Sequence, residues 1–108
     1  MLLNTLIGGI KMTDYTRNIV EQIKEKGEKL LKEGANGHCF TQVISIDETV
    51  MFFYGNRSFV IECPEDEKDN FCVYEDVYSG SNDNIPVGVR PVKKMSTALK
   101  YMVTLTKR

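Results

Sequence analysis

A chain of 108 residues with 42% hydrophobic and 9% aromatic side chains and a net charge of −1 has the apolar content to fold, which excludes intrinsic disorder, and the length for one core, which excludes two domains. One histidine and no tryptophan leave few ligands and anchors, and three cysteines cannot all pair within one chain. The odd thiol count points to a reducing compartment, so the cytoplasm is the expected location.

Met1 to Ile10 is apolar, but it lacks the basic start and small-residue cleavage pattern of a secretory signal and is too short to span a bilayer. Met12-Thr13-Asp14 reads as the start of the folded part. Residues 1–11 are thus expected to be a loosely ordered leader and residues 12–108 a single α+β domain. From Thr13 to Gly34, the apolar residues Tyr15, Ile19, Val20, Ile23, Leu30 and Leu31 recur at intervals of three and four and predict an amphipathic helix. Thr13 or Asp14 is its N-cap, and Gly34 with Asn36-Gly37 its stop. Gly27 sits mid-helix, where it weakens the helix by up to ~1 kcal/mol relative to alanine; it marks either a close neighbour or a soft point.

After Gly37 the helical period gives way to short β-branched and aromatic runs. His38 to Ile46 is the first predicted strand, Asp47-Glu48 a turn, Thr49 to Tyr54 the second strand, Gly55-Asn56-Arg57 a turn, and Ser58 to Cys63 the third. Such short connections force antiparallel neighbours. A polar connection, Pro64 to Asn70, precedes a fourth strand, Phe71 to Tyr78, and the turn-rich stretch Ser79 to Asn84 follows it. Val87 to Val92 reads as a short edge strand, because Pro86 and Pro91 cannot donate to a ladder. Ser96 then caps a helix to about Thr106, with Leu99, Met102, Val103 and Thr106 on one stripe and Ala98, Tyr101 and Leu105 beside it. The order α-β-β-β-β-(β)-α predicts an α+β fold: a four- to five-stranded antiparallel meander with both helices on one face.

Charge is distributed unevenly. Residues 46–84 carry ten acidic and two basic side chains, whereas residues 85–108 carry six basic and none acidic. Acidic turns keep a sheet soluble; they also form a surface aimed at a basic partner. Candidate contacts are Glu65, Asp66, Glu67, Asp69, Glu75 and Asp76, with Phe53, Tyr74 and Tyr78 as aromatic anchors. The consecutive rings Phe52, Phe53 and Tyr54 must address both faces of the sheet, so one face is core and the other is either covered or an interface, a homodimer interface among the options.

Chemistry is less well provided for. His38 adjoins Cys39 and points to the opposite side of a strand, and Cys63 and Cys72 lack the close spacing of a zinc site. No orienting third group accompanies a Cys–His pair, the acids crowd into turns, and Gly8-Gly9 lacks the context of a phosphate loop. No catalytic, cofactor-binding or metal-ligating residue is assigned, no membrane contact is expected, and the chain is not expected to be an enzyme.

In size and acidic α+β make-up the chain is similar to small inhibitors from phages and other mobile elements, anti-CRISPR proteins included. That similarity implies a non-enzymatic inhibitor or regulator of a nucleic-acid-handling protein. The stretch Lys93-Lys94-Met95-Ser96-Thr97-Ala98 resembles the lysine-rich helix start of a double-stranded RNA-binding domain, which implies phosphate contacts from Lys93 and Lys94, with Arg90 and Lys100 nearby in the basic segment. The extra strand, the acidic stretch 64–84 and the net charge depart from that family's pattern.

Overall fold

In the computed structural model, which describes residues 12–33, 40–80 and 83–108, the first helix, α1, spans Asp14–Glu33. Thr13 caps it: its Oγ1 accepts the Thr16 amide at 3.1 Å, satisfying one donor that a helix start leaves open. The buried stripe is Thr16, Val20, Ile23 and Gly27. Tyr15, expected on that stripe, is exposed. The inner position of the first turn belongs to Thr16, whose hydroxyl donates to the Pro64 carbonyl at 2.8 Å. Leu30 and Leu31 lie outside the described side chains. The leader 1–11 and Gly34, Asn36, Gly37, His38 and Cys39 lie outside the described residues.

Five strands follow: β1 (Gln42–Ile46), β2 (Thr49–Tyr54), β3 (Arg57–Glu62), β4 (Phe71–Tyr78) and β5 (Asn84–Val92). They form one antiparallel sheet in chain order. Two-residue turns close the first two hairpins, since Ile46 pairs with Thr49 and Tyr54 with Arg57; Asp47 takes the left-handed φ of 51° that such a turn requires. Arg57, expected in the second turn, therefore opens β3. The described part of the first strand starts at Gln42, because Thr41 bends in to place both its amide and its hydroxyl on the Phe53 carbonyl.

β5 starts at Asn84, earlier than expected. It is an edge strand, as its prolines require. Its register shifts between Val73 and Glu75 of β4, so Gly88 and Val89 together face Tyr74, and Gly88 adopts the positive φ of 70° of a bulge residue.

Helix α2 spans Met95–Leu105. Ser96 does not cap it. The extended residue before the helix is Lys94, which makes no side-chain cap bond. Val92 is buried at the end of β5, so the chain must turn over the sheet within Lys93 and Lys94, and the helix begins ahead of the serine. The buried stripe is Ala98, Met102 and Leu105, continued by Thr106, while Leu99 and Val103 are half-buried.

Both helices pack on one side of the sheet, α1 over β1 and β2, α2 over β3, β4 and β5. Between helices and sheet lies one apolar cluster centred on Val50, Phe52, Phe59, Ile61 and Val73, each fully buried. The α+β fold and the one-sided helix layer are those expected from the sequence.

Candidate interaction surface

Antiparallel partners point to the same side, so the register sorts every strand residue between the two faces. One row on the side away from the helices runs Ile44, Met51, Val60, Tyr74. Its neighbours run Gln42, Phe53, Ser58, Asp76, Pro86 and Ile46, Thr49, Glu62, Cys72, Pro91. Among the described elements, no helix lies on this face. Phe52 and Tyr54 point inward and Phe53 outward, so the three rings divide between core and open face.

Among the described residues, the strands present two charges on the open face, Glu62 and Asp76, and no Lys or Arg. The Tyr74 hydroxyl donates to Glu62 Oε2 at 2.7 Å. Burial, reinforced by that bond and by the Glu62 charge, holds the phenol protonated well above its usual range. Asp76 Oδ2 accepts a hydrogen bond from the Asn84 side-chain Nδ2 at 3.1 Å. Phe53 and Tyr74 are half-buried here, and Tyr78 stands at the end of the face, 64% exposed.

Glu75 has a different role from its neighbour. It points to the helix side, where Arg57 grips it with two bonds of 2.9 Å, Nε to Oε2 and Nη2 to Oε1. The same guanidinium donates to the carbonyls of Thr106 and Leu105 at 3.0 and 3.1 Å, satisfying acceptors that the end of α2 leaves open, and lies 5.0 Å from the Phe59 ring centre. The hydrogen bond from Arg57 keeps the Glu75 carboxyl below the ordinary range. Glu75 is therefore a structural residue, set apart from the acids with which the sequence groups it.

Glu65, Asp66, Glu67 and Asp69 are exposed on the connection between β3 and β4. This loop is held by one internal bond and by two from outside it. Asp66 Oδ1 accepts the Lys68 amide at 2.8 Å, Thr13 Oγ1 donates to the Glu65 carbonyl at 3.0 Å, and Lys93 Nζ donates to the Lys68 carbonyl at 2.8 Å. Beside it, an open recess of about 150 Å³ lies between the start of α1 and the β1–β2 turn, with Glu48, Glu62 and Glu65 in its lining. Phe53, Tyr74 and Asp76 thus share the open face, Tyr78 extends it, and the loop acids border its far end.

Of the basic candidates, Lys93 is tied to the acidic loop and Arg90 lies 5.1 Å over the Tyr101 ring. Lys94 and Lys100 are exposed. Among the described residues, no cluster of His, Cys, Asp and Glu could hold a metal ion. Burial pushes the Cys63 thiol up to about 12, and burial followed by the Glu62 charge raises Cys72, so neither is a thiolate at neutral pH. No described helix is long and apolar enough to cross a membrane. Comparison with protein-family models, curated proteins and solved structures finds no match to this chain.

The sequence candidates did not include Ile44, Met51, Val60 and Glu62 on the open face. Their signal was the two-residue alternation, which becomes decisive once the register is fixed by the two-residue turns. Arg57 carried no local signal, since its partners lie 18 to 49 residues away.

Proposed function

We propose that this chain is a non-enzymatic protein-binding module, an inhibitor or regulator that engages a basic, nucleic-acid-handling protein through the open face of its sheet. The observation that carries the reading is the composition of that face among the described residues: apolar and aromatic side chains with two carboxylates and no cation. Met51, Phe53 and Tyr74, each half-buried, supply the contact area, and the binding energy concentrates on the rings. The acids of the 64–70 loop and the recess beside Glu48, Glu62 and Glu65 supply the field that steers a basic surface into register, and the recess has room for a lysine side chain.

The test is recovery of the tagged chain from nuclease-treated lysate, identification of what remains bound, and affinity measurement with the purified partner. Replacing Glu65, Glu67 and Asp69 by Lys is expected to weaken binding at least tenfold, and Phe53→Ala or Tyr74→Ala to weaken it further, with circular dichroism unchanged. Undiminished binding by folded variants refutes the reading. Nuclease-sensitive recovery that is lost on replacing Lys94 and Lys100 by Ala moves the function to the basic helix and nucleic acid.

A further inference from the structure

The two edges of the sheet are unequally protected. At the β5 edge, Pro86 and Pro91 lack donors and the Gly88 bulge breaks the line of the strand. β1, Gln-Val-Ile-Ser-Ile, has no proline and no charged side chain. The ladder shows which of its backbone groups face outward. The Cys63 amide donates to the Glu48 carbonyl at 2.8 Å, so the even-numbered residues of β2 bond toward β3 and its odd-numbered residues toward β1. Thr49, Met51 and Phe53 thereby engage Ile46, Ile44 and Gln42. Val43 and Ser45 are left with their N–H and C=O groups pointing away from the sheet, and no hydrogen bond from a described residue reaches them.

We propose that this edge docks a second copy of the chain, with β1 pairing antiparallel with its counterpart about Ile44. Centred there, the pairing is self-complementary. Val43 of each copy exchanges both backbone bonds with Ser45 of the other, so every outward group of these two residues is satisfied. Ile44 meets Ile44 of the second copy as the close, non-hydrogen-bonded pair on the open face, and Gln42 stands beside Ile46, which is otherwise 55% exposed. The absence of charge from β1 selects this occupant: two copies meet along the strand with no like charges opposed, in a chain whose net charge is only −1. The apolar row Ile44, Met51, Val60, Tyr74 then runs on into the same row of the second copy. The inference does not depend on the proposed partner of the open face.

Sedimentation of the full chain from micromolar to millimolar concentration, with amide exchange followed residue by residue, tests the proposal. The expected result is a species of twice 12.3 kDa in which the Val43 and Ser45 amides are protected at high concentration and exchange freely on dilution, while Ile44 and Ile46 stay protected throughout. Ser45→Pro removes an amide that β2 does not use; it is expected to give a folded monomer, with Ser45→Ala still dimeric. A chain that stays monomeric, a dimer in which Val43 and Ser45 remain unprotected, or a folded Ser45→Pro variant that still dimerises overturns the proposal. Should Ser45→Pro not fold, the alternating exchange pattern of the unmodified chain decides.

Discussion

Replacing Gly27 by alanine sets two effects of known sign against each other. In an exposed helix interior the change stabilises by about 1 kcal/mol, because alanine is the best helix former and restricts the unfolded chain. Here a β-carbon would stand 2.6 Å from Cε2 of Phe52 and 3.2 Å from Cγ1 of Val43. The ring cannot yield freely, since Phe52 is fully buried and Phe40 packs edge-on against it with centroids 5.6 Å apart. Overpacking of this kind costs about 1–3 kcal/mol. The net expectation is a loss of up to about 2 kcal/mol, read as a fall in Tm of up to roughly 15 °C for a domain of this size. Phe52→Leu supplies the control: it lowers stability by about 1–2 kcal/mol on its own and frees the space above the helix. Adding Gly27→Ala in that background is expected to stabilise, so the double-mutant cycle shows a coupling of about 2 kcal/mol. A higher Tm for Gly27→Ala alone would refute the argument from close approach.

Two further outcomes follow from the helix-side ion pair and from the thiols. Arg57→Ala strips two carbonyls and one carboxylate of their donor and is expected to cost about 2–4 kcal/mol in urea denaturation, more than Glu75→Gln. Because the folded-state pKa of Glu75 is lowered, its contribution is present above the unfolded carboxyl pKa and is lost as pH falls through the folded one; Glu75→Gln is expected to flatten that acid limb, and an unchanged limb would contradict the assignment. Native alkylation at neutral pH is expected to modify Cys72, which is half-buried, before Cys63, which is 6% exposed and held protonated, and equal rates would contradict the burial of Cys63.

What the sequence made legible was governed by short-range rules. Periods of three and four marked α1, two-residue spacings marked the first hairpins, and the prolines placed β5 at an edge, because each signal acts within a few residues of itself. Tyr15 and Ser96 were misleading for a shared reason. Each has the residue type for its expected place, but the choice was made by packing against the rest of the fold, the Thr16 bond to Pro64 in one case and the burial of Val92 under the sheet's helix layer in the other. The separation of Glu75 from Asp76 was legible in principle, since neighbours on a strand face opposite ways. Which of the two turned inward depended on the register between β3 and β4, across a connection too long to set it.

The fastening of α2 by Arg57 also constrains the order of assembly. The meander builds from hairpins between neighbours in the chain, contacts that form early because they close short loops. The inner sides of β3, β4 and β5 have no cover from α2 until that helix follows all five strands out of the ribosome, and Arg57 and Glu75 wait through that interval for the carbonyls of Leu105 and Thr106. Nascent chains stalled before residue 95 would display Phe59, Ile61 and Val73 to whatever lies nearby, which makes the last helix the element that converts an adhesive sheet into a finished domain.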